Sequence, residues 1–287
     1  MKLIGLMLAR NEDWVIEASA KAALRWCDEL VVFLDRCTDN TIECLRVADA
    51  GAGRIMYMAE TAEKTQWDEM DVRQLTLEQG RANGGTHFAI IDADEILTAN
   101  LDDRIRGEFE KLGPGQVLEV PMLAMRTLDI YQDDDSVWSS AWITLGFCDR
   151  PIVTWKPAED GYHHHHRAPY GVKETLRYLR KKEDGGVLHL QFCNRRRLVA
   201  KHWLYAYVDH LRWPLREDVA KLSWKYSLAL ARTNGLGALP GEWWGNREKR
   251  AIRLDGVPWQ EDELRRLIAL HGESAFEGIQ LVEKRPV

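Results

Sequence analysis

The chain has 287 residues, of which 45% are hydrophobic and 29% are charged, and its formal net charge is -6. This length suits one large catalytic unit, and the composition is that of a soluble globular protein. Because basic and acidic residues are interspersed and no run reaches the roughly 18 apolar residues of a membrane span, we expect neither nucleic-acid binding nor a membrane-spanning segment.

The first residues of the chain and its cysteines indicate the cellular compartment of the protein. Residues 2–8 form an apolar run without the basic start and small-residue cleavage site of a signal peptide. The five cysteines, an odd number, form neither a disulfide framework nor a paired CxxC zinc motif. We therefore expect a cytoplasmic protein with reduced cysteines.

Strands and helices alternate over the first 125 residues. Apolar runs rich in β-formers predict strands at residues 2–8, 30–34, 54–58, 87–91 and 117–122. Apolar residues spaced by three and four predict helices at residues 15–26, after a cap at 38–41, at 68–82 and at 101–112. This alternation predicts an α/β fold with a mostly parallel sheet flanked by helices.

The rest of the chain is divided into loops and helices. Residues 127–169 have little periodicity and are rich in Asp, Trp, Tyr and His, so we interpret them as substrate-facing loops. Residues 187–192 predict a late strand, and residues 219–232 and 261–270 predict helices. We predict a catalytic domain at residues 1–200 and a helical C-terminal extension packed on it at residues 201–287.

Acidic residues follow the predicted strands. Ligands of an open parallel sheet bind beyond the carboxyl ends of its strands, where Asp35, Asp92 and Asp94 fall. Asp92 and Asp94 alternate by two, with Glu95 adjacent, so the turn can direct several oxygen ligands toward one divalent ion. The alternative is that this segment is only a polar turn and helix cap.

Four motifs, in this order, resemble those of family 2 glycosyltransferases of the GT-A fold. They are Ala9-Arg10-Asn11-Glu12 after the first strand, Asp35 with Thr38-Asp39-Asn40-Thr41 after the second, Arg73 on a helix, and Ile90-Ile91-Asp92-Ala93-Asp94-Glu95. The resemblance covers residues 1–125, and residues 187–192 look like the late strand whose histidine, His189, completes the metal site. It implies a Rossmann-like GT-A nucleotide-sugar-binding domain at residues 1–200.

The resemblance also implies roles for single residues. Asp35 would contact the uracil or ribose of the donor, while Asp92, Asp94 and His189 would hold Mn²⁺ or Mg²⁺. An imidazole suits Mn²⁺ better than Mg²⁺, and the alternative for His189 is a hydrogen-bonded core histidine. The residues predicted to bind the donor are Ala9, Arg10, Asn11, Glu12, Asp35, Arg73, Asp92, Ala93, Arg167 and Lys201.

Two basic segments are candidates for the diphosphate. The run His163 to His166 with Arg167 is either a loop that folds over the diphosphate or an adventitious metal-binding loop. The run Arg195 to Arg197 with Lys201 either presents its cations to the same diphosphate or is a solvated basic patch.

The acceptor side has its own candidates. An inverting enzyme needs a carboxylate base, for which Glu159, Asp160 and Asp149 are candidates, whereas a retaining enzyme needs none. Tryptophans 138, 142 and 155 fall in the predicted loops and could stack on sugar rings.

We therefore expect a metal-dependent glycosyltransferase that moves a sugar from a nucleotide-diphosphate donor, a UDP-sugar, to a hydroxyl of a glycan, lipid or protein. One alternative is a sugar-phosphate nucleotidyltransferase, which normally begins with a glycine-rich phosphate loop that Ala9-Arg10-Asn11-Glu12 lacks. The other is a glycan-binding or scaffold protein with a GT-A fold and no turnover. The sequence does not indicate an oligomeric state.

Overall fold

The computed structural model of the protein describes residues 1–60, 69–156, 167–179, 182–213 and 218–287. The strands of these residues are β1 (Leu3–Ala9), β2 (Glu29–Asp35), β3 (Ile55–Glu60), β4 (His87–Ile90), β5 (Glu95–Leu97), β6 (Gln116–Ala124), β7 (Ile130–Gln132), β8 (Trp142–Cys148), β9 (Glu174–Arg177), β10 (Val187–His189) and β11 (Leu236–Ala238). The α-helices are α1 (Ile16–Ala23), α2 (Thr41–Asp49), α3 (Glu69–Ala82), α4 (Asp102–Glu110), α5 (Arg195–Arg212), α6 (Val219–Ser227) and α7 (Trp259–His271).

The main sheet has the strand order β3-β2-β1-β4-β8-β6-β10-β5, and β9 pairs with β6 beside this path. Strands β1 to β4 pair in parallel, β8 is antiparallel to both β4 and β6, and β10 is parallel to β6. Parallel strands connected by helices are the arrangement expected when strand and helix patterns alternate. The predicted mostly parallel sheet flanked by helices is confirmed.

Burial of the first strands explains why they occupy the middle of the sheet. Strand β1 is buried at six of its seven residues, and β2 is buried at all but its first residue. A strand that is apolar along its whole length has both faces covered by helices, as in other α/β sheets. Helix α1 covers one face through Ile16, Ala20 and Ala23, which are fully or almost fully buried.

Two strands lie in the stretch that we interpreted as loops. Residues 127–169 include β7 and β8, and β8 fills the position between β4 and β6 in the main sheet. The loop prediction is therefore wrong for Trp142–Cys148. The predicted strand at residues 187–192 is shorter than expected, because the chain turns into a 3₁₀ helix after His189.

The C-terminal part is helical, as predicted, and it packs on the sheet domain. Helices α5, α6 and α7 form an apolar cluster that also contains Ala124 of β6 and Phe192. The predicted domain boundary between residues 200 and 201 falls inside α5, and the division at that point stays a prediction. Within the described ranges, no helix is both long enough and apolar enough to span a lipid bilayer.

Candidate functional site

Strand pairing brings Asp94 and His189 together. Strand β5 pairs antiparallel with β10, so that Glu95 lies opposite His189, and the backbone N–H of Leu190 donates to the carbonyl oxygen of Asp94 at 2.9 Å. The Oδ1 atom of Asp94 consequently lies 3.6 Å from Nε2 of His189, and both side chains are largely buried. Both residues lie at the edge where the parallel strands β1, β4 and β6 end.

Helix α5 adds a cation to this edge. The Nζ atom of Lys201 lies 3.6 Å from Oδ2 of Asp94, and it lies 5.8 Å from the centre of the Tyr205 ring. Burial lowers the pKa of Lys201, but its electrostatic interactions with Tyr205 and Asp94 outweigh burial and raise it. Burial also raises the pKa of Tyr205 to about 12. Near neutral pH the site therefore contains an ammonium group beside a neutral phenol.

Asp92 is held by two arginines. Arg73 of α3 donates from Nη2 to Oδ1 of Asp92 at 3.0 Å, and Arg167 donates from Nη1 to Oδ2 at 3.2 Å. Burial raises the pKa of Asp92, but Arg73 and Arg167 outweigh burial and lower it to about 2. Arg73 also donates to Glu69, an acid one helical turn before it. Asp92 is therefore an ionised carboxylate with a guanidinium on each oxygen.

The guanidinium of Arg167 has all five of its N–H groups in use. It donates to the carboxylates of Asp92 and Glu95 and to the backbone carbonyl oxygens of Ile90 and Thr144. A guanidinium has five donors in a fixed plane, and here they connect β4, β8 and the start of β5. These contacts leave no donor for a diphosphate, so in this structure Arg167 supports the site from within the protein.

Glu12 follows β1 and faces the same group of charges. Its Oε2 atom accepts a hydrogen bond from Nε1 of Trp14 at 2.5 Å. Burial and, next, the charge of Asp94 raise the pKa of Glu12 to about 7, although Arg197 and Lys201 oppose that rise. The edge of the sheet thus contains two acids, Glu12 and Asp94, which face two cations of α5.

Arg10 and Asp35 lie under the C-terminal helix α7. Asp35, the last residue of β2, accepts two hydrogen bonds from Arg36 and lies 3.5 Å from Nη1 of Arg10. The guanidinium of Arg10 also lies 4.3 Å from the centre of the Trp259 ring and 3.3 Å from Glu263. Helix α7 therefore covers two residues that we predicted to contact the nucleotide.

Asn11 shapes the loop after β1. Its φ angle of 54° is in the left-handed region, which asparagine adopts more readily than most residues. The side-chain oxygen of Asn11 accepts hydrogen bonds from the backbone N–H groups of Thr38 at 2.7 Å and Asp39 at 3.3 Å. The loops after β1 and β2 are thereby joined.

A cavity of about 360 Å³ opens between these loops and the segment that leads into α7. Its lining combines acidic, aromatic and amide side chains with two arginines. The lining residues are Asn11, Asp13, Trp14, Thr38, Asp39, Arg197, Arg253, Asp255, Gly256, Val257, Trp259 and Asp262. The predicted catalytic domain and the predicted extension both contribute to it.

The remaining predicted residues are dispersed. Ala9 and Ala93 are buried beside the site. Asp149 follows β8, whose end pairs with the beginning of β4, and Arg81 donates to both of its carboxylate oxygens. Asp149 is therefore at the opposite edge of the sheet from Asp94, and we do not retain it as a candidate base. Glu159, Asp160 and the run His163 to His166 lie outside the described residues.

The three tryptophans predicted for the acceptor loops pack against other side chains of the protein. Trp155 is buried in the core against Phe147, and Trp138 packs on Phe192. Trp142 lies in β8 beneath the guanidinium of Arg177. The prediction that Trp155 lies in a substrate-facing loop is wrong, because its side chain faces the apolar core.

The side chains at this edge can supply part of the coordination shell of a divalent ion, and a bound ligand would supply the rest. Among the described residues, no group of three or more His, Cys, Asp and Glu side chains is arranged to hold a metal ion. Asp94 and His189 are adjacent, and their side chains are metal ligands of the kinds that Mn²⁺ accepts. Ions of the Mg²⁺ type often use one or two protein carboxylates together with substrate phosphates and water, so two protein donors are sufficient.

Sequence reasoning missed Glu69 and Trp259. A Glu four residues before Arg73 is a recognisable helix pair, so Glu69 could have been found from spacing. Trp259 had no such signal, because it reaches the site from a helix far along the chain.

Comparison with known proteins gives no family for the chain. No protein-family model and no curated protein matches it. The solved structures similar to part of it include S. aureus TarS, with 16% identity and a TM-score of 0.34 over 44% of this chain and 22% of TarS. The chain thus spans about a fifth of the length of TarS.

Two further solved structures are similar over comparable parts. A 4-diphosphocytidyl-2C-methyl-D-erythritol synthase is 14% identical, with a TM-score of 0.34 over 51% of this chain and 73% of that one. Glucosyl-3-phosphoglycerate synthase from Mycobacterium tuberculosis, in complex with Mg²⁺ and uridine diphosphate, is 21% identical, with a TM-score of 0.30 over 43% of each chain. At these identities and TM-scores, none of the three structures assigns a function to the present chain.

Proposed function

We propose that the chain is a metal-dependent glycosyltransferase that moves a sugar from a nucleotide-diphosphate donor, a UDP-sugar, to a hydroxyl acceptor. The observation that supports this proposal most is the adjacency of Asp94, His189 and Lys201 at the carboxyl edge of the parallel strands. Two metal-ligand side chains and an ammonium group suit a pyrophosphate, which carries negative charge and binds divalent ions.

Asp94 and His189 would hold the metal, Mn²⁺ or Mg²⁺. When bound, such an ion neutralises the negative charge that develops on a departing diphosphate oxygen. Asp92 is set back from this position, because Arg73 and Arg167 hold its two oxygens. We assign Asp92 the role of fixing the turn that presents Asp94, and its predicted contact with the metal remains a prediction.

Lys201 would bind the diphosphate directly. Its pKa is raised, so it stays protonated at neutral pH, and it is held next to Asp94 before any donor binds. A cation fixed in a partly buried site stabilises developing charge without the cost of reorganisation that water would require. Asp35 and Arg10 would contact the nucleoside, which requires α7 to leave room beside Trp259.

The experiment that tests this function measures the binding of UDP by calorimetry with and without Mn²⁺. We expect Mn²⁺ to increase the affinity for UDP, and we expect Asp94→Asn to weaken Mn²⁺-dependent UDP binding by roughly tenfold or more, because the variant loses an anionic ligand. Asp103→Asn is the matched control, because Asp103 is exposed on α4 away from the site.

Turnover is tested with a panel of nucleotide sugars, scored by the release of nucleoside diphosphate. The wild-type protein and Asp103→Asn should hydrolyse at least one donor slowly in the presence of Mn²⁺, and Asp94→Asn should not. Equal binding of UDP and Mn²⁺ by Asp94→Asn and the wild type would refute the site, and wild-type protein without affinity for any nucleotide would refute the function.

A further inference from the structure

Helix α6 presents large apolar side chains to solvent as well as to the core. The side of the helix that contains Leu222 and Tyr226 is buried in the apolar cluster that α6 shares with α5 and α7. On the other side, Trp224 is 64% exposed, and Leu228, which begins the next 3₁₀ helix, is 37% exposed. Residues four apart share one face of a helix, so these two side chains form one exposed apolar strip.

Two neighbouring segments of the chain extend this strip. Nε1 of Trp138 donates to the carbonyl oxygen of Leu228 at 3.3 Å, and Val137, the residue before it, is 63% exposed. The backbone N–H of Val282 donates to Oγ of Ser227 at 3.1 Å, and Val282 is 60% exposed. We call the exposed residues around the end of α6 the α6 surface, which consists of Val137, Lys221, Trp224, Leu228, Arg232 and Val282.

The charge of this surface is opposite to that of the whole molecule. Residues 219–241 contain the basic residues Lys221, Lys225 and Arg232 and no acidic residue, whereas the chain has a formal net charge of -6. All three basic residues are exposed. Lys225 pairs with Asp209 of α5, but no ion pair among the described residues involves Lys221 or Arg232. Two cations are therefore available to an anionic partner.

The acidic residues that flank the surface are mostly engaged within the protein. Asp218 caps α6 by accepting from a backbone N–H group, and Asp134 accepts hydrogen bonds within its own loop. Asp133 and Glu283 form ion pairs with basic residues. Asp135 is an exposed carboxylate in the same loop as Asp133. One open carboxylate does not offset the two available cations.

This combination of side chains fits the boundary of a lipid bilayer. An indole ring favours the layer between water and hydrocarbon, because it has an apolar body and a polar N–H group. Lys and Arg place their methylene stems along apolar surface while their charged ends stay among lipid headgroups. A stable protein interface buries roughly 800 Å² per partner, and four exposed apolar side chains cover only part of that area. A lipid surface therefore suits the α6 surface better than a protein partner does.

We propose that the α6 surface docks the protein on a membrane that contains anionic lipids. Trp224 and Leu228 enter the headgroup layer, and Lys221 and Arg232 contact lipid phosphates. The contact is peripheral, because Leu222 and Tyr226 keep α6 packed on α5. The proposal goes beyond the proposed transferase function and does not depend on it, since none of these residues was assigned to the metal or the donor.

The test measures sedimentation of the full chain with vesicles of three parts phosphatidylcholine and one part phosphatidylglycerol. Vesicles of pure phosphatidylcholine are the neutral probe. We expect the protein to bind the anionic vesicles more tightly than the neutral ones, and we expect added NaCl to weaken that binding, because salt screens the attraction between exposed charges.

Two variants locate the contact on the α6 surface. Trp224→Ser should weaken binding to anionic vesicles roughly tenfold, because it removes the largest inserted apolar group. Lys221→Glu should weaken the binding by at least about fivefold, since each basic residue near an anionic membrane contributes about that factor. Both residues are exposed, so neither variant should change the midpoint of thermal unfolding.

The matched controls are exposed residues on other helices. Leu270→Ser removes a 58% exposed apolar side chain from α7, and Lys111→Glu reverses an exposed charge at the end of α4. Lys111→Glu changes the net charge by the same amount as Lys221→Glu, so it separates the position of the charge from the net charge. Both controls should bind anionic vesicles like the wild type.

Three results would overturn the proposal. The first is wild-type protein that does not sediment with anionic vesicles, and the second is equal weakening by Lys221→Glu and Lys111→Glu, which would make the effect one of net charge. The third is self-association of the wild type in sedimentation velocity that Trp224→Ser abolishes, which would identify the α6 surface as an interface between two copies of the chain.

Discussion

Glu12 shows how burial and a neighbouring carboxylate change the pKa of a single side chain. Glu12 follows β1, and its carboxyl group is buried in the protein. The negative charge of Asp94 acts on that carboxyl group. Burial raises the pKa of Glu12 from 4.5 to about 7, so the carboxyl group is largely protonated in the folded chain at mildly acidic pH. A cation bound by Asp94 would favour the ionised form, which couples the charge of Glu12 to ligand binding.

This pKa predicts how stability depends on pH in metal-free buffer. Because the folded-state pKa lies above the unfolded value, the contribution of protonated Glu12 is complete below pH 4.5 and is lost as the pH rises through about 7. Relative to Glu12→Gln, the wild-type protein should lose on the order of 2–3 kcal/mol of unfolding free energy across that interval. Urea unfolding at a series of pH values in EDTA measures the difference.

Glu43→Gln is the control for this measurement, because Glu43 is 64% exposed and pairs with Arg46 in the next turn of α2. The difference between the wild type and Glu43→Gln should stay nearly constant over the same pH interval. A constant difference between the wild type and Glu12→Gln would show that Glu12 titrates normally in the folded protein.

Single site residues were predictable where the chain places them at strand ends. Asp92 and Asp94 follow a buried strand directly, and His189 ends a short apolar run, so their positions could be read from local pattern. Trp259 could not be predicted, because it reaches the first-strand loop from about 245 residues away. Nothing in the local sequence encodes such contacts.

At the level of elements, the parallel strands β1 to β4 could be predicted from the sequence, whereas the antiparallel strand β8 could not. Strands β1 to β4 lie where continuous apolar runs alternate with amphipathic helices, a pattern that is stronger than any one residue. Strand β8 is also a continuous apolar run, but it is flanked by acidic and aromatic residues that resemble a loop. The part of α5 beyond Lys201 was expected to be helical, but its first residues were not, because ten of its eighteen residues are buried, which leaves little amphipathic contrast.

Gly146 explains how β8 fits between its neighbours. It pairs with Ala89 of β4, and a Cβ atom at position 146 would lie 2.2 Å from the carbonyl oxygen of Phe88 and 2.6 Å from the ring of Phe109. The first contact is with backbone, which cannot move aside as a side chain can. Gly146 therefore permits close packing of β8, β4 and α4.

We predict that Gly146→Ala destabilises the protein by about 2–4 kcal/mol, because the added methyl group overpacks the sheet. Gly107→Ala is the matched control, since Gly107 lies in α4 and a Cβ atom there has nothing within 4 Å. Alanine favours helix over glycine, so Gly107→Ala should stabilise by about 0.5–1 kcal/mol. Denaturant unfolding of both variants decides the question, and equal stabilities would contradict the packing argument.

On the scale of the whole molecule, the sheet and the C-terminal helices share their apolar cores. One cluster joins Trp14, Ile96 and Leu188 to Trp243 and Trp244 of the C-terminal part. Another joins α7 to α5 and, through Ala124 and Phe192, to the main sheet. When two segments of a chain share an apolar core, the two segments unfold together. The cavity of about 360 Å³ lies at this same junction, so its geometry depends on both segments.

This sharing predicts a single unfolding transition. Leu264 of α7 is fully buried in the cluster with α5, and Leu264→Ala should lower the unfolding free energy by about 2–4 kcal/mol while the protein still unfolds in one step. Leu270→Ala, on the same helix but 58% exposed, should change it by about 0.5 kcal/mol or less. Scanning calorimetry of the wild type and both variants measures the shift and the number of transitions.

A second, earlier transition in Leu264→Ala would mean that the C-terminal helices unfold as a separate domain. The cavity of about 360 Å³ would then be lost before the proposed metal site, because Trp259 and Arg253 would leave it while Asp94 and His189 remained paired through β5 and β10. Under the single-transition prediction, the cavity and the proposed metal site are lost together. Following Mn²⁺ release and tryptophan fluorescence during the same thermal ramp distinguishes the two cases, since simultaneous changes require that the shared core unfolds as one unit.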